Sequence, residues 1–454
     1  MKVTAVLLAA GQGTRMKSDL PKVLHPLCGK PLIWHVLRAL KSAATEKPVV
    51  VVGYGADRVK EYLGDSAECI LQEPQLGTGH AVMQVESLLK DKTDYVMVAY
   101  ADMPLLRGEI FNRLVETQRH NSGPVSLVTA IADDPRGFGR VVRKPDGTVE
   151  AIVEEYVATH DQRQIKELNV GAYCFKADWL WDALHRIEKN PKKGEYYLTD
   201  VAELAAKENL PVQAVIQHNL AEIIGINTRV HLSEAEAAMR VRINREHMQD
   251  GVSMTNPASA YIEAGIKIGK DTVILPNTHL QGDTQIGEGN VIGPNTIIRD
   301  SKVGNRCKIL ASVVEGAVIE DDVDMGPFAR LRKGAHLKSH VHMGNFGEVK
   351  DSTLHEGVKM GHFSYIGNAT IGANTNIGAG TITANYDGEK KNSTEIGEDV
   401  FIGSDTMLVA PLKLGDGART GAGAVVTKNV PEDTLVVGMP ARAIRKVERK
   451  NKKK

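Results

Sequence analysis

No run of apolar residues in this sequence approaches the roughly 18 to 20 needed to cross a bilayer as a helix. Stable membrane insertion is therefore not expected. The opening "MKVTAVLLAAG" is apolar but brief, and it leads straight into "GQGTRMK", so it reads as a buried first strand and not as a signal peptide. Cysteines number only four, Cys28, Cys69, Cys174 and Cys307, far apart and without a C-x-x-C pair. That spacing speaks against a disulfide framework or a zinc site and fits reduced thiols in a cytoplasmic protein. Net charge is missing as well. The 56 Lys and Arg balance the 56 Asp and Glu, so no overall field favours a polyanion and nucleic acid is not an expected partner. The closing "RAIRKVERKNKKK" is a local basic tail, read as a solvated and disordered end.

What is present falls into two grammars. A length of 454 residues carries a prior of about three domains. Up to about Asn227, short β-branched runs such as "VTAVLLAA", "PVVVVG", "YVMVAYAD", "PVSLVTAIA", "VEAIVEEY" and "GAYCF" alternate with helical patterns, which predicts a mostly parallel sheet with helices on both faces. Ligands of such sheets bind beyond the carboxyl ends of the strands. "NTRVHLSEAEAAMRVRINREHM" is free of Gly and Pro and rich in helix formers, predicting one long helix over 228–250 that Gly251 closes. The domains expected are thus 1–227, the helix 228–250, and 251–454.

The last of these counts in sixes. Ile262, Ile268, Ile274, Leu280, Ile286, Ile292 and Ile298 are evenly spaced, and the beat resumes with slips at Val303, Ile309, Ile371, Ile377 and onward from Ile396. Neither a helix nor an alternating strand has that period; a hexapeptide β-helix does. Two breaks are expected, one around "GPFARLRKGAHLKSHVHMGNFGEVKDSTLHEGVKMGHFSYIG" and one in "NIGAGTITANYDGEKKNSTEIGEDVFIG", where the step from Ile377 to Ile396 is nineteen and no multiple of six. Insertions in solenoids map to loops on one face, often the binding face.

Chemistry in the first half begins with "LLAAGQGTRM", which sets Gly11 and Gly13 directly after a strand and before Arg15. Such glycines let backbone N–H groups approach a phosphate, and the arginine neutralises it. Taken alone the G-x-G could equally be a tight turn, and it matches neither the Rossmann fingerprint nor the Walker loop. Its company is more specific: Lys22 in "LPKVL", Gln72, Gln75, Gly77 and Thr78 in "LQEPQLGTGHA", and Asp102 at the end of "YVMVAYAD", where a carboxylate suits magnesium.

Together these residues resemble the sugar-nucleotidyltransferases, whose signature runs L-x-x-G-x-G-T-R-M followed by P-K. "QLGTGHA", "DDPRGFGRVV", "IVEE", "ELNVGAY", "GEYYLTD" and "GINTRV" narrow the resemblance to the bifunctional family that makes UDP-N-acetylglucosamine for the bacterial envelope. That resemblance implies an α/β nucleotidyltransferase domain, Rossmann-like with a mostly parallel sheet. Leu8, Ala9, Ala10, Gly11, Gln72, Gly77 and Thr78 would hold UTP, with Tyr100, Ala101, Gly139, Glu154 and Asn169 around the sugar. Asp102 and Asn227 would ligate Mg²⁺, and Arg15 and Lys22 would neutralise the reacting phosphates as N-acetylglucosamine 1-phosphate attacks and pyrophosphate leaves. Where the family has Y-G-D this chain reads Tyr100, Ala101, Asp102.

"GHFSYIG" and "NFGEVK" resemble the acetyltransferase half of the same family, whose hexapeptide repeats form a left-handed parallel β-helix. By that resemblance His362 is the general base that takes a proton from the amine of glucosamine 1-phosphate. Glu348 orients it, Arg332 and Lys350 bind the sugar phosphate, and Tyr365 and Asn376 complete that pocket. Ala379, Asn385, Tyr386, Ser404 and Ala422 take acetyl-CoA, with Asn385 and Tyr386 supplied by the insertion. Where the family can carry an arginine for the cofactor, this chain has Met439, with Arg442 close by. The resemblance further implies a homotrimer. Two other readings stay open: a pyrophosphorylase whose β-helix is only a scaffold, and a non-catalytic binding subunit of the same layout.

Overall fold

The structure, a computed structural model, describes residues 1–446; the last basic residues, 447–454, lie outside the described residues. The chain divides into two compact units, Met1–Met239 and Arg240–Lys454. The division falls within a 21-residue helix, Arg229–Gln249.

In the first unit the β-branched runs form one sheet. Its strands are β1 (Val3–Ala9), β2 (Val49–Val52), β3 (Glu68–Leu71), β4 (Tyr95–Tyr100), β5 (Val125–Ile131), β6 (Arg140–Arg143), β7 (Val149–Val153), β8 (Glu167–Lys176) and β9 (Val212–Ile216). The order is β9-β5-β8-β4-β1-β2-β3, with β6 and β7 as a hairpin leaning on β8. Alternate residues of β1 divide between two cores, Val3, Ala5, Leu7 and Ala9 to one and Val6 to the other, as the period of a strand requires. Ile33, Val36, Phe111 and Leu114 cover the first face, and Val82, Leu180, Trp181 and Val201 the second. Burial on both faces explains why these strands read as continuous apolar runs.

Along that order the sheet is parallel except at β8, which runs antiparallel to both β4 and β5. Its register with β5 slips between Asn169 and Tyr173, at Gly171. Gly171 has φ +83°, and a Cβ there would lie 2.6 Å from the ring of Tyr100, so the residue must be glycine on both counts.

In the second unit, strands of two to five residues stack into three sheets of twelve, ten and nine strands among the described residues. Parallel partners in the first coils, such as Val273↔Val291, are three hexads apart, so three beats make one turn. The beat residues point inward; Ile274, Leu280, Ile292 and Ile298 are buried. Polar residues in this narrow interior are satisfied by carbonyls: Thr272 Oγ1 donates to Gly287 O (2.9 Å) and Asn290 Nδ2 to Gly304 O (3.0 Å). Slips in the count are shortened coils, one position short of three hexads at Gln285↔Lys302 and two short at Ile298↔Val314.

One expected break is a slip and not an insertion. Through "GPFARLRKGAHLKSHVHMGNFGEVK" the beat continues on Met325, Leu331, Leu337, Met343 and Val349, all buried and six apart, and in the closing "DSTLHEGVKMGHFSYIG" it shortens once, from Val349 to Leu354. A count that followed isoleucine lost it because methionine and leucine carry the same inward positions. The other break is real. Partners there, at Ile371↔Ile396, Ile377↔Ile402 and Thr383↔Leu408, are separated by the usual three hexads and a surplus of seven. Nineteen is thus two sixes and seven, and the extra residues sit between Ala384 and Thr394, with Thr383 holding the intermediate beat.

The basic tail also departs from expectation at its start. Arg442–Lys446 is a strand with exposed side chains, paired antiparallel to Thr434–Val437.

Candidate active sites

Beyond the carboxyl end of β1, Gly13 adopts φ +62°, and a Cβ there would come 2.7 Å from Lys22 Cβ. Glycine therefore lets the loop lie against Lys22. Nothing lies within 4 Å of where a Cβ of Gly11 would be, so its backbone is open to a ligand. Arg15 is exposed on a single 3₁₀ turn, Thr14–Met16, which buried Met16 anchors and which Arg229 Nε holds by donating to Met16 O (3.2 Å).

Lys22 Nζ donates to Asp102 Oδ2 (2.6 Å) and to Asn227 Oδ1 (3.1 Å). Asp102 follows the end of β4, and Ile226 N donates to Asp102 O (2.9 Å), which fixes Asn227 beside it. Two side-chain oxygens from distant segments thus converge on one cation.

The sugar-side candidates form a second cluster. Asn169 Nδ2 donates to Tyr173 Oη (2.7 Å), and the Tyr173 ring lies beside that of Tyr100, their centroids 6.2 Å apart. Asn169 N donates to Gly139 O (2.9 Å), which ties in the β6–β7 hairpin. Burial raises the Glu154 carboxyl above its ordinary range, and Thr199 Oγ1 donates to it (3.2 Å). Nearby, burial and the Glu203 and Glu154 charges push Asp200 up to about 6.

Other candidates are placed less directly. Gln72 is buried, and its Nε2 donates to Gly77 O (2.9 Å) and meets His80 Nδ1 (3.2 Å), so it braces the loop from within. Thr78 Oγ1 accepts Leu198 N (3.0 Å). Leu8 and Ala10 offer backbone: Leu8 O accepts Ala101 N (3.1 Å) and Ala10 O accepts Tyr54 N (3.1 Å). Ala9 and Ala101 are both buried in the core cluster, so the methyl that replaces the family's glycine at Ala101 is absorbed by packing.

In the second unit the outward positions of one sheet run Arg330, Glu348, Tyr365, Ile382, each one coil from the next. Arg332 NH1 donates to Glu348 Oε1 (3.0 Å), and the pairing raises the guanidinium's pKa. Glu348 is therefore committed to Arg332, and among the described residues no hydrogen bond joins it to His362. The Lys391 ammonium from the insertion, and more weakly Arg332, hold Lys350 below the usual lysine range. A Cβ on Gly367 would strike Tyr365 Oη and come 2.8 Å from Asn385 Nδ2, so glycine there leaves room for both side chains.

His362 is exposed at the corner before the strand Ser364–Gly367. Down that corner Phe363 O accepts Gly380 N (2.7 Å), Ala379 O accepts Asp405 N (2.6 Å), and Ser404 O accepts Gly423 N (2.8 Å). His362, Ala379, Ser404 and Ala422 therefore mark four successive coils of one edge, about 14 Å from first to last at the usual inter-strand spacing. Asn376 lies on the neighbouring sheet, between Lys359 and Phe401, and is not brought to the Arg332–Lys350–Tyr365 group within one chain. Asn385 is buried and Tyr386 exposed, its Oη donating to Gly388 O (2.6 Å). Met439 is exposed, and Arg442 opens the last strand opposite Val437.

Sequence reasoning missed Gly171, Tyr173, Thr199 and Lys391. Only Gly171 carried a local signal, an isolated glycine in a strand pattern, which marks a bulge.

Fold and sites define a two-part transferase, an α/β nucleotide-handling unit in one chain with a hexapeptide-repeat unit of the left-handed β-helix type. Family models agree: residues 5–187 match the MobA-like NTP transferase domain, and residues 265–300 and 393–428 match the bacterial transferase hexapeptide (six repeats). The chain is 44% identical over 449 residues to the bifunctional protein GlmU of Streptococcus agalactiae, covering 99% of this chain and 98% of that one. It is 46% identical over 451 residues to the GlmU of a Geobacillus species, covering 99% and 97%. This chain belongs to the GlmU family. It is a bifunctional enzyme, a uridylyltransferase joined to an acetyltransferase.

Proposed function

We propose that the second unit acetylates glucosamine 1-phosphate from acetyl-CoA and that the first couples the resulting N-acetylglucosamine 1-phosphate to UTP, releasing pyrophosphate. Residues 1–227 and 251–454 divide the two tasks. The observation that carries the first assignment is the convergence of Asp102 Oδ2 and Asn227 Oδ1 on Lys22 Nζ. Oxygen donors already gathered around a positive charge suit Mg²⁺, which takes one or two carboxylates and keeps waters and substrate phosphates for the rest. Asp102 and Asn227 would hold it, and it would supply charge neutralisation at the reacting phosphates. Gly11 and Gly13 present backbone to the nucleotide, Arg15 and Lys22 offset the negative charge of the leaving pyrophosphate, and Tyr100, Asn169 and Glu154 orient the sugar.

In the second unit Arg332, Lys350 and Lys391 receive the sugar phosphate, and His362 removes the proton of the attacking amine at the top of the edge that Ala379, Ser404 and Ala422 continue. Glu348 acts through Arg332 in this arrangement. An oligomer, read as a homotrimer, is supported by three exposed phenylalanines on one corner, Phe328, Phe346 and Phe363 (61, 60 and 56% exposed), of which the first two stack at 5.6 Å. Among the described residues no helix is long and apolar enough to cross a membrane, which agrees with work in the cytoplasm.

The test supplies the whole protein with each substrate pair. Thiol release from acetyl-CoA with glucosamine 1-phosphate, and chelator-sensitive pyrophosphate release from UTP with N-acetylglucosamine 1-phosphate, are both expected. Pyrophosphate without thiol would reduce the β-helix to a scaffold.

A further inference from the structure

The largest fully buried side chain among the described residues is a charged one. Arg140, on β6, is 1% exposed. Its NH1 donates to Phe138 O and to Glu155 Oε2 (2.6 Å), while its Nε is buried without a hydrogen-bond partner among the described residues. Stability does not account for this arrangement. A buried guanidinium loses its hydration, and a single carboxylate that is itself 39% exposed, with Nε left orphaned, offsets that loss incompletely. An apolar side chain of similar volume would pack there without it.

What the arginine has is position. In the ladders Arg140 stands opposite Val153 of β7 and Leu168 of β8. Each of three sugar-side residues is next in sequence to one of these points: Gly139 to Arg140 itself, Glu154 to both Val153 and Glu155, and Asn169 to Leu168. Gly139 O accepts Asn169 N (2.9 Å), and Glu154 O accepts Val157 N (3.0 Å) and Ala158 N (3.1 Å), so Glu155 lies in a turn that Glu154 opens. The two bonds from NH1 therefore join the strand entered at Gly139 to the turn opened by Glu154, whose carboxyl Thr199 Oγ1 meets (3.2 Å). The β6–β7 hairpin is paired to the rest of the sheet at one ladder position among the described residues, Leu168↔Arg140, so backbone pairing alone fixes it weakly.

We propose that Arg140 is a positioning residue for uridylyl transfer: from inside the protein it fixes Gly139 against Glu154, and so the fit of the acceptor's sugar, without touching that sugar. This rests on the reading of Gly139, Glu154 and Asn169 as the sugar side of the first unit's site. The physical gain is preorganisation, since walls already held in place need not be ordered when the acceptor binds. An arginine that only held the hairpin together would alter stability and would weaken both substrates alike.

The experiment uses the full chain and measures KM and kcat for N-acetylglucosamine 1-phosphate and for UTP in pyrophosphate release, below the unfolding transition. Thiol release from acetyl-CoA is the control for folding. Arg140→Met fills the space without the charge, and KM for the sugar phosphate is expected to rise about tenfold or more, the scale of lost hydrogen bonds to a charged group, while KM for UTP changes less than about twofold. Arg140→Lys returns a charged nitrogen to the two acceptors without the planar fork, and a smaller rise is expected. Glu155→Gln removes the partner's charge at a part-exposed position and keeps an acceptor oxygen; it should raise the same KM by a lesser factor, and it carries the test if Arg140→Met does not fold. An unchanged KM for the sugar phosphate in these variants, or an equal rise for both substrates, would overturn the proposal and leave the ion pair as a structural element. Asn169→Ala, measured alongside, tests the sugar-side reading itself. A raised KM for the sugar phosphate there, beside an unchanged one in Arg140→Met, would overturn the proposal alone; an unchanged one in Asn169→Ala would overturn the reading and the proposal with it.

Discussion

In the first unit Lys22 and Asn227 meet from positions 205 residues apart, whereas in the second Glu348 and Tyr365 face each other because they are neighbouring coils of one sheet. One site is assembled by a sheet that gathers the ends of β1 and β4 and the segment before the long helix. The other is a column on a repeating surface. The difference lies in what each arrangement exposes to a mutation. A substitution in the column disturbs one row of a ladder, while one in the gathered site removes a partner that no neighbour can replace. The units should accordingly fail separately and with different signatures.

The largest separation is expected at the gathered site. Asp102→Asn keeps the shape of the side chain but leaves the Lys22 charge without its carboxylate, and pyrophosphate release should fall about 10³-fold with thiol release unchanged, the scale of losing a preorganised charge contact. Equal loss of both activities would mean that the units are not independent. Next in size is His362→Ala, for which thiol release should fall about 10²- to 10⁴-fold with pyrophosphate release intact, the range for removing a general base. A pH profile of kcat/KM that loses its acidic limb in this variant would identify the histidine as that base.

A third substitution sharpens the comparison through stability. Leu331 is buried inside the β-helix, and Leu331→Ala should cost about 2–5 kcal/mol, seen as a lowered unfolding transition. Pyrophosphate release measured below that transition should not change. The smallest effect concerns pH in the first unit. Burial raises the Asp200 carboxyl from an ordinary 3.8 to about 6, so the folded state binds a proton more tightly than the unfolded chain does. Stability from this group is present below the unfolded value and is lost as pH rises through the folded one. Asp200→Asn should therefore raise the melting temperature by about 2–4 °C at pH 7.5 and leave it unchanged at pH 3 to 4. A shift of equal size at both pH values would contradict that origin.

The same contrast explains what could be read from the sequence. A β-helix turns position into geometry: with three hexads to a coil, the beats Ile262, Leu280 and Ile298 are neighbours because of their numbers, and the insertion announced itself as a departure from them. The reading failed where the beat passed to Met325, Leu331 and Met343, since inward positions select for fit and not for isoleucine. It also overlooked Lys391, whose charge lowers the pKa of Lys350 although the two are distant in sequence. In the first unit the strands were legible as apolar runs, yet nothing in "ELNVGAYCFK" says that β8 runs against its neighbours or that Tyr173 bonds Asn169 with its ring beside Tyr100. Those facts belong to pairings across the sheet, which local pattern does not encode. The glycine loop, Lys22 and Asp102 stood out because their motif could be compared with a family, whereas nothing in the sequence announced the bond of Glu348 to Arg332.

The most direct test of two independent sites in one chain follows thiol release from acetyl-CoA and pyrophosphate release from UTP in parallel, for wild type, His362→Ala and Asp102→Ala. The account predicts that wild type releases both, that His362→Ala loses thiol alone, and that Asp102→Ala loses pyrophosphate alone. Loss of both products in either variant, or a wild type that releases pyrophosphate but never thiol, would contradict it.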